Sequence, residues 1–220
     1  MKQLLKVDFH CHTDFSPDGL ISPKSLVERL ERVGLDRVAI TDHDTIRGAL
    51  AVKALAPERV IVGEEIQTQK GELLAFYVQE EIPGGLPVEE AIRLLRQQGA
   101  FISVSHPFDP YRSGWREADV LDLAAQVDAI EVYNARCLRA SYNRQAEAFA
   151  RRHQILGMAG SDAHTLAEVG GVVMHLPHFE DAEGLRQALR QARIESRLSP
   201  FWVHFSSIFA ALRNKARRTP

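Results

Sequence analysis

Cysteine is nearly missing from this 220-residue chain, which has only Cys11 and Cys137. The two have no C-x-x-C spacing. A disulfide framework is therefore excluded, and a reduced, cytoplasmic compartment is expected. An excess of either charge is missing too. Twenty-seven basic side chains face 29 acidic ones, a formal net charge of −2. That balance excludes the basic coat of a protein that clasps nucleic acid along its length, so no stable nucleic-acid complex is expected. A nucleotide or other small phosphoester remains a compatible substrate. No apolar run approaches the roughly 18 residues that a membrane-crossing helix requires. The first residues, Met1-Lys2-Gln3-Leu4-Leu5-Lys6, lack the apolar core of a signal peptide. The rest is the mix of a soluble globular domain, 45% apolar and 25% charged.

The chain is rich in punctuation. Leu5–Phe9 reads as a strand. Ser22, Pro23 and Gly34 then cap, open and close a helix whose Leu26, Val27, Leu30 and Val33 share one face. Strands are expected at 37–41, 59–62, 73–78, 101–104, 129–132, 155–159 and 171–174. Helices are expected at 45–55, 87–98, 117–125, 138–153 and 182–193. Seven or eight strands alternating with helices indicate a parallel α/β architecture, as a closed barrel or an open sheet.

Polar residues gather after these strands. His10, His12 and Asp18 follow the first, and Asp42 and His43 the second. Glu64 and Glu65 follow the third, His106 the fifth, Asn134 and Arg136 the sixth, and Asp162 and His164 the seventh. In a parallel α/β fold the C-terminal strand ends open onto one face, so these residues converge. Each motif alone has an ordinary reading: a capped helix start at Asp44, a solvated Glu64-Glu65 pair, a turn at His106-Pro107. Together they would crowd unpaired polar groups into one pocket, and divalent cations are the cheapest way to satisfy them. The remaining histidines, His153, His175, His178 and His204, read as surface or core residues.

Asp8-Phe9-His10-Cys11-His12-Thr13, followed by Ser16-Pro17-Asp18, resembles the opening motif of the PHP (polymerase and histidinol phosphatase) superfamily. Ala39-Ile40-Thr41-Asp42-His43-Asp44-Thr45, Gly63-Glu64-Glu65-Ile66, Ser105-His106-Pro107 and Gly160-Ser161-Asp162-Ala163-His164 are similar to its later motifs, in order. The resemblance implies a distorted seven-stranded β/α barrel with a two- or three-metal site at the C-terminal strand ends, holding Mn, Zn or Fe. It implies that His10, His12, Glu65 and Asp162 hold one ion, that Glu65 bridges to a second bound by His106, and that Asp18, His43 and His164 hold a third. Many family members carry a histidine where this chain has Glu72, in Gly71-Glu72-Leu73-Leu74. Glu72 is therefore expected either to replace it as an oxygen ligand or to mark an altered second site.

The implied activity is hydrolysis of phosphoesters by metal-bound hydroxide. The substrates would be small phosphomonoesters, nucleotides or oligonucleotide ends. A histidinol-phosphate phosphatase, or a non-catalytic metal-stabilised binding module, are the alternatives. Arg112 and Arg136 sit where guanidinium forks would clamp phosphate. Cys11 is expected to face the barrel wall rather than act as a nucleophile. Residues 1–195 read as the catalytic domain and 196–220 as an amphipathic basic tail. In that tail Phe201, Phe205, Ile208 and Leu212 share a helical face before Arg213, Lys215, Arg217 and Arg218. Residues 201–218 either pack on the barrel or a second copy, or touch an anionic surface.

Overall fold

The computed structural model describes residues 4–112, 115–200 and Val203. The strands are β1 (Leu5–Asp8), β2 (Arg37–Ile40), β3 (Val60–Gln67), β4 (Glu72–Phe76), β5 (Phe101–Val104), β6 (Ala129–Asn134), β7 (Leu156–Gly160), β8 (Val172–Leu176) and β9 (Arg193–Ser196). The helices are α1 (Pro23–Val33), α2 (Arg47–Leu55), α3 (Val88–Gln97), α4 (Glu117–Leu123), α5 (Ala140–His153) and α6 (Ala182–Leu189). Helix α1 follows its punctuation. The Ser22 side chain accepts from the Ser25 N–H, and Gly34 ends the helix at φ 68°, a left-handed conformation that glycine adopts without a Cβ clash.

The strands form one nine-stranded sheet in the order β7-β6-β5-β4-β3-β2-β1-β8-β9, not the expected seven. The sheet is also mixed. β4 runs antiparallel to both β3 and β5, β8 runs antiparallel to β1, and β9 runs antiparallel to β8. The reason at β4 is loop length. Only residues 68–71 separate β3 from β4, whereas a parallel crossover needs a dozen or more. β9 corrects the expected helix 182–193. Helix α6 stops at Leu189, and Arg193–Ser196 pairs with β8 instead, the ladder overriding local propensity.

From β1 to β7 the sheet curls round nearly into a barrel. An isolated parallel bridge joins Cys11 to Ala163. There the His12 N–H donates to the Ala163 carbonyl and the Asp162 N–H to the His10 carbonyl, both at 2.8 Å. Gly160 permits this approach, because a Cβ there would lie 2.2 Å from His10 Cβ.

The period of two then sorts the side chains. Val38, Ile40, Val60, Val62, Ile66, Leu73, Ile102 and Ile130 join a buried cluster with Leu26, Leu30, Val52, Leu95 and Phe149 of the helices. Val7, Phe9, Ala39, Ile61, Leu74, Phe76, Phe101, Ala129 and Met158 form a second cluster on the opposite strand faces, joined by Leu185 and Leu189 of α6. Among the described residues, no helix is long and apolar enough to cross a membrane. The amphipathic segment expected at 201–218 lies outside the described residues apart from Val203.

Candidate metal centre

Glu65 and Glu72 take their direction from strand register. Glu65 falls on the strand face of Ile61, and Glu72 on that of Leu74 and Phe76, so both carboxylates turn inward. β3 runs further than expected, so Glu64 and Glu65 lie within it rather than after it. Glu64 shares the outer face with Val62 and Ile66, where its carboxylate accepts the Ile82 N–H at 3.0 Å. Glu72 opens its strand, yet reaches the same end of the barrel as residues that follow theirs. The antiparallel course of β4 brings this about.

The structure brings the expected ligand set together. His10 Nε2 lies 3.0 Å from His12 Nε2 and 3.2 Å from Glu65 Oε2. His12 Nε2 lies 3.3 Å from both Glu65 Oε2 and Asp162 Oδ1, and His10 Nε2 lies 3.6 Å from Asp162 Oδ1. Ligands about 2.1 Å from one ion stand about 3.4 Å apart in a tetrahedron, so these separations have the right scale. His106 Nε2 is 3.2 Å from both Glu65 Oε1 and Glu72 Oε2. His43 approaches Glu65 Oε2 at 3.3 Å and Asp18 Oδ1 at 3.6 Å, and His164 Nε2 approaches Asp18 Oδ2 at 2.9 Å. Three groups can each hold an ion: His10, His12 and Asp162; Glu65, Glu72 and His106; His12, His43 and His164.

A further test of fit is what these atoms do without a cation. His164 Nδ1 lies 2.8 Å from the Asp162 carbonyl. A carbonyl only accepts, so Nδ1 carries the proton and the neutral ring turns its Nε2 lone pair toward the Asp18 carboxylate. Two acceptors facing each other need a cation between them. Asp162 Oδ1, Asp18 Oδ1 and His164 Nε2 are buried with no hydrogen-bond partner among the described residues, which is costly unless something coordinates them. The donor set of imidazoles and carboxylates suits Zn, Mn or Fe.

Charge shifts follow the same crowding. Burial opposes a proton on His10, but the carboxylates of Asp162, Glu65 and Glu131 outweigh it and hold the imidazole well above its ordinary value. Against the same burial, Glu65 and Asp18 push His43 up to about 10. Burial would raise Asp162, yet Arg112 and His10 hold it well below the usual range. His164 moves the other way, down to about 3, through burial and the neighbouring charge of His12. An entering cation must displace the protons of His10 and His43, so metal affinity rises with pH.

A supporting shell combines Asp42 and Asn134, which fall in the expected strand-end set, with Glu131, which does not. Glu131 bonds His10 Nδ1 at 3.0 Å and accepts the His106 N–H at 2.9 Å. Ser16 lies 3.1 Å from His12 Nδ1 and donates to Asp42. Asp42 also accepts the Thr13 N–H and hydroxyl, so it locks the first motif loop. Ser105 donates to Glu65, and Asn134 donates to both Glu131 and Asp162. Asp44 does not cap α2. It sits at φ 51° and accepts the Gln67 N–H, while Glu81 accepts the Ile46 N–H. Asp162 at φ 55° and His106 at φ 23° are likewise left-handed, each costing about 1–3 kcal/mol.

The two arginines part company. Arg112 is 18% exposed and pairs with Asp162 Oδ2. Arg136 is 3% exposed, its Nε 3.2 Å from Glu168 and one terminal nitrogen donating to the Val203 carbonyl. Cys11 is buried in the wall cluster, with burial raising its thiol well above the ordinary value.

Residues 8–100 match the model of the PHP domain, and residues 140–194 match that of the PHP-associated family. The uncharacterized protein MJ1587 of Methanocaldococcus jannaschii is 35% identical over 144 residues, 60% of this chain and 82% of that one. This chain belongs to the PHP family. A 5'-3' exoribonuclease of Haemophilus influenzae is 42% identical over 66 residues, 29% of this chain and 24% of its own length. A candidate metal-dependent phosphoesterase of Bifidobacterium adolescentis shares the fold at a TM-score of 0.64 and 20% identity, covering 84% of this chain and 96% of that one. The His, Glu and Asp clusters of this PHP domain can hold metal ions.

Proposed function

We propose that this PHP protein hydrolyses phosphoesters of nucleotides or oligonucleotide ends, using two or three divalent ions drawn from Mn, Zn or Fe. His10, His12, Glu65 and Asp162 hold the first ion. Glu65, Glu72 and His106 hold the second, and Asp18, His43 and His164 the third. The observation that carries this reading is the convergence of Nε2 of His10, Nε2 of His12, Oε2 of Glu65 and Oδ1 of Asp162 within 3.0–3.6 Å contacts. The likeness to an exoribonuclease over the first motifs supports the nucleotide class.

When bound, the ions supply Lewis acidity toward water and the phosphoryl group. The chain's own residues hold and orient. Glu131 and Ser16 fix the rings of His10 and His12 from behind, and Ser105 fixes Glu65. Arg112, at the rim and beside Asp162, is placed to take phosphoryl oxygens. Arg136 is spent on Glu168 and a carbonyl, and braces the segment that carries His164. We assign the phosphate contact to Arg112 rather than Arg136.

The test is metal analysis of the purified protein, followed by a panel of phosphomonoesters, phosphodiesters and nucleotides with Mn, Zn and Fe. Two or three ions per chain, and turnover that chelation abolishes and metal restores, are expected. A fully loaded protein that hydrolyses no phosphoester would overturn the reading.

A further inference from the structure

Beside the metal centre opens a cleft of about 480 Å³, bounded by Phe15, His43, Asp44, Arg47 and Glu81 among others. His43 belongs to both, so whatever lies in the cleft adjoins the third ion group. Phe15 comes from the loop after β1, and Arg47 from the first turn of α2. The Arg47 guanidinium lies over the Phe15 ring, 5.5 Å from its centroid. That contact is its one side-chain interaction among the described residues. Three carboxylates line the same cleft, from Asp14, Asp44 and Glu81, and none pairs with it.

An exposed guanidinium held over an aromatic ring still has planar surface and N–H groups to offer the cleft. Such a plane accepts another flat ring, as arginines do when they stack on nucleobases. The carboxylates disfavour a second phosphate in the cleft. They suit the amino edges of a base. Two of them are already held in place, Asp44 by the Gln67 N–H and Glu81 by the Ile46 N–H, so their remaining lone pairs are preorganised acceptors.

We infer that this cleft is a nucleobase subsite, in which a base stacks on the Phe15–Arg47 platform while its phosphate faces the ions. The inference rests on the phosphoesterase reading and names the substrate side of that same site. It predicts selectivity for nucleotides over equally charged phosphoesters that have no base.

The experiment is equilibrium binding of adenosine 5'-monophosphate and ribose 5-phosphate to the metal-loaded chain, in wild type, Phe15→Ala, Arg47→Ala and Arg47→Lys. Stacking one base contributes about 1–3 kcal/mol, so the nucleotide should bind roughly tenfold or more tightly than the sugar phosphate. That ratio should collapse toward one in Phe15→Ala and Arg47→Ala. It should collapse in Arg47→Lys too, because a lysine keeps the charge and loses the plane. Equal wild-type affinities, or a ratio that survives in Arg47→Ala, would overturn the subsite and leave the phosphoesterase reading standing. A ratio retained by Arg47→Lys would overturn the stack. Failure of both ligands to bind would overturn the subsite together with the reading it rests on. Arg47 is exposed, so its variants keep the test valid should Phe15→Ala misfold.

Discussion

His10 Nδ1 lies 3.0 Å from Glu131 Oε1, although 121 positions separate the two residues. The carboxylate accepts the Nδ1 proton, so Nε2, which faces His12, Glu65 and Asp162, is the nitrogen that gives up its proton to an entering cation. Partners of this kind orient a ligating imidazole and raise its basicity, and their loss costs about 10–100-fold in metal affinity or activity. Glu131→Ala should weaken metal binding by that order in a calorimetric titration. Wild-type affinity in the variant would show that the ring is held by its other contacts alone.

Glu72 Oε2 lies 3.2 Å from His106 Nε2, on the strand face that turns inward. As the third member of the group with Glu65 and His106, it should contribute an anionic oxygen where many relatives have imidazole. Glu72→Ala should lose one ion per chain by elemental analysis. Glu72→His should keep that ion and shift its preference toward Zn, since an imidazole is the softer ligand. Unchanged stoichiometry in Glu72→Ala would remove Glu72 from the centre.

Arg112 and Arg136 should fail in different ways. Arg112→Ala should fold, retain its ions and lose about 1.5–3 kcal/mol of transition-state binding, roughly ten- to hundredfold in kcat/KM. Arg136→Ala leaves buried Glu168 without its counter-charge, a change that costs about 3–5 kcal/mol of stability. Its melting temperature should therefore fall markedly. An Arg136→Ala protein with native stability but crippled kinetics would return the phosphate contact to Arg136.

Glu64 offers a pH test away from the ions. Burial pushes its carboxyl up from 4.5 to about 8, with Asp44 and Glu81 adding to the rise against the Ile82 N–H. A folded pKa above the unfolded one means stability that is fully present below 4.5 and lost as pH rises through about 8. Glu64→Gln keeps an acceptor for Ile82 and removes the titration. The variant should melt above the wild type at alkaline pH, and the gap should close near pH 4.5. A pH-independent gap would contradict the shift.

Much of this protein is legible in its residues. Ser22, Pro23 and Gly34 set helix α1 by local chemistry, which needs no distant partner. His10, His12, His43, His106, Asp162 and His164 could be placed on one face because loops after parallel strands share an end. Residues 63–72, between the strands expected at 59–62 and 73–78, also carried a legible signal, since they are too few for a parallel crossover. The acidic Glu131 within apolar Ala129-Ile130-Glu131-Val132 is another, because an inward carboxylate in a buried strand calls for a partner.

Other features exist only in three dimensions. The partner of Arg136 is Glu168, a choice made by packing that no spacing encodes. β9 forms because β8 offers an open edge, and the helix expected at 182–193 ends at Leu189 before it. The centre itself is decided by ring closure. The Cys11–Ala163 bridge brings His10 and His12 against Asp162 and His164 from opposite ends of the chain. Local propensity can specify each strand and its inward face, but only the curl of the whole sheet sets four ligand atoms within reach of one ion.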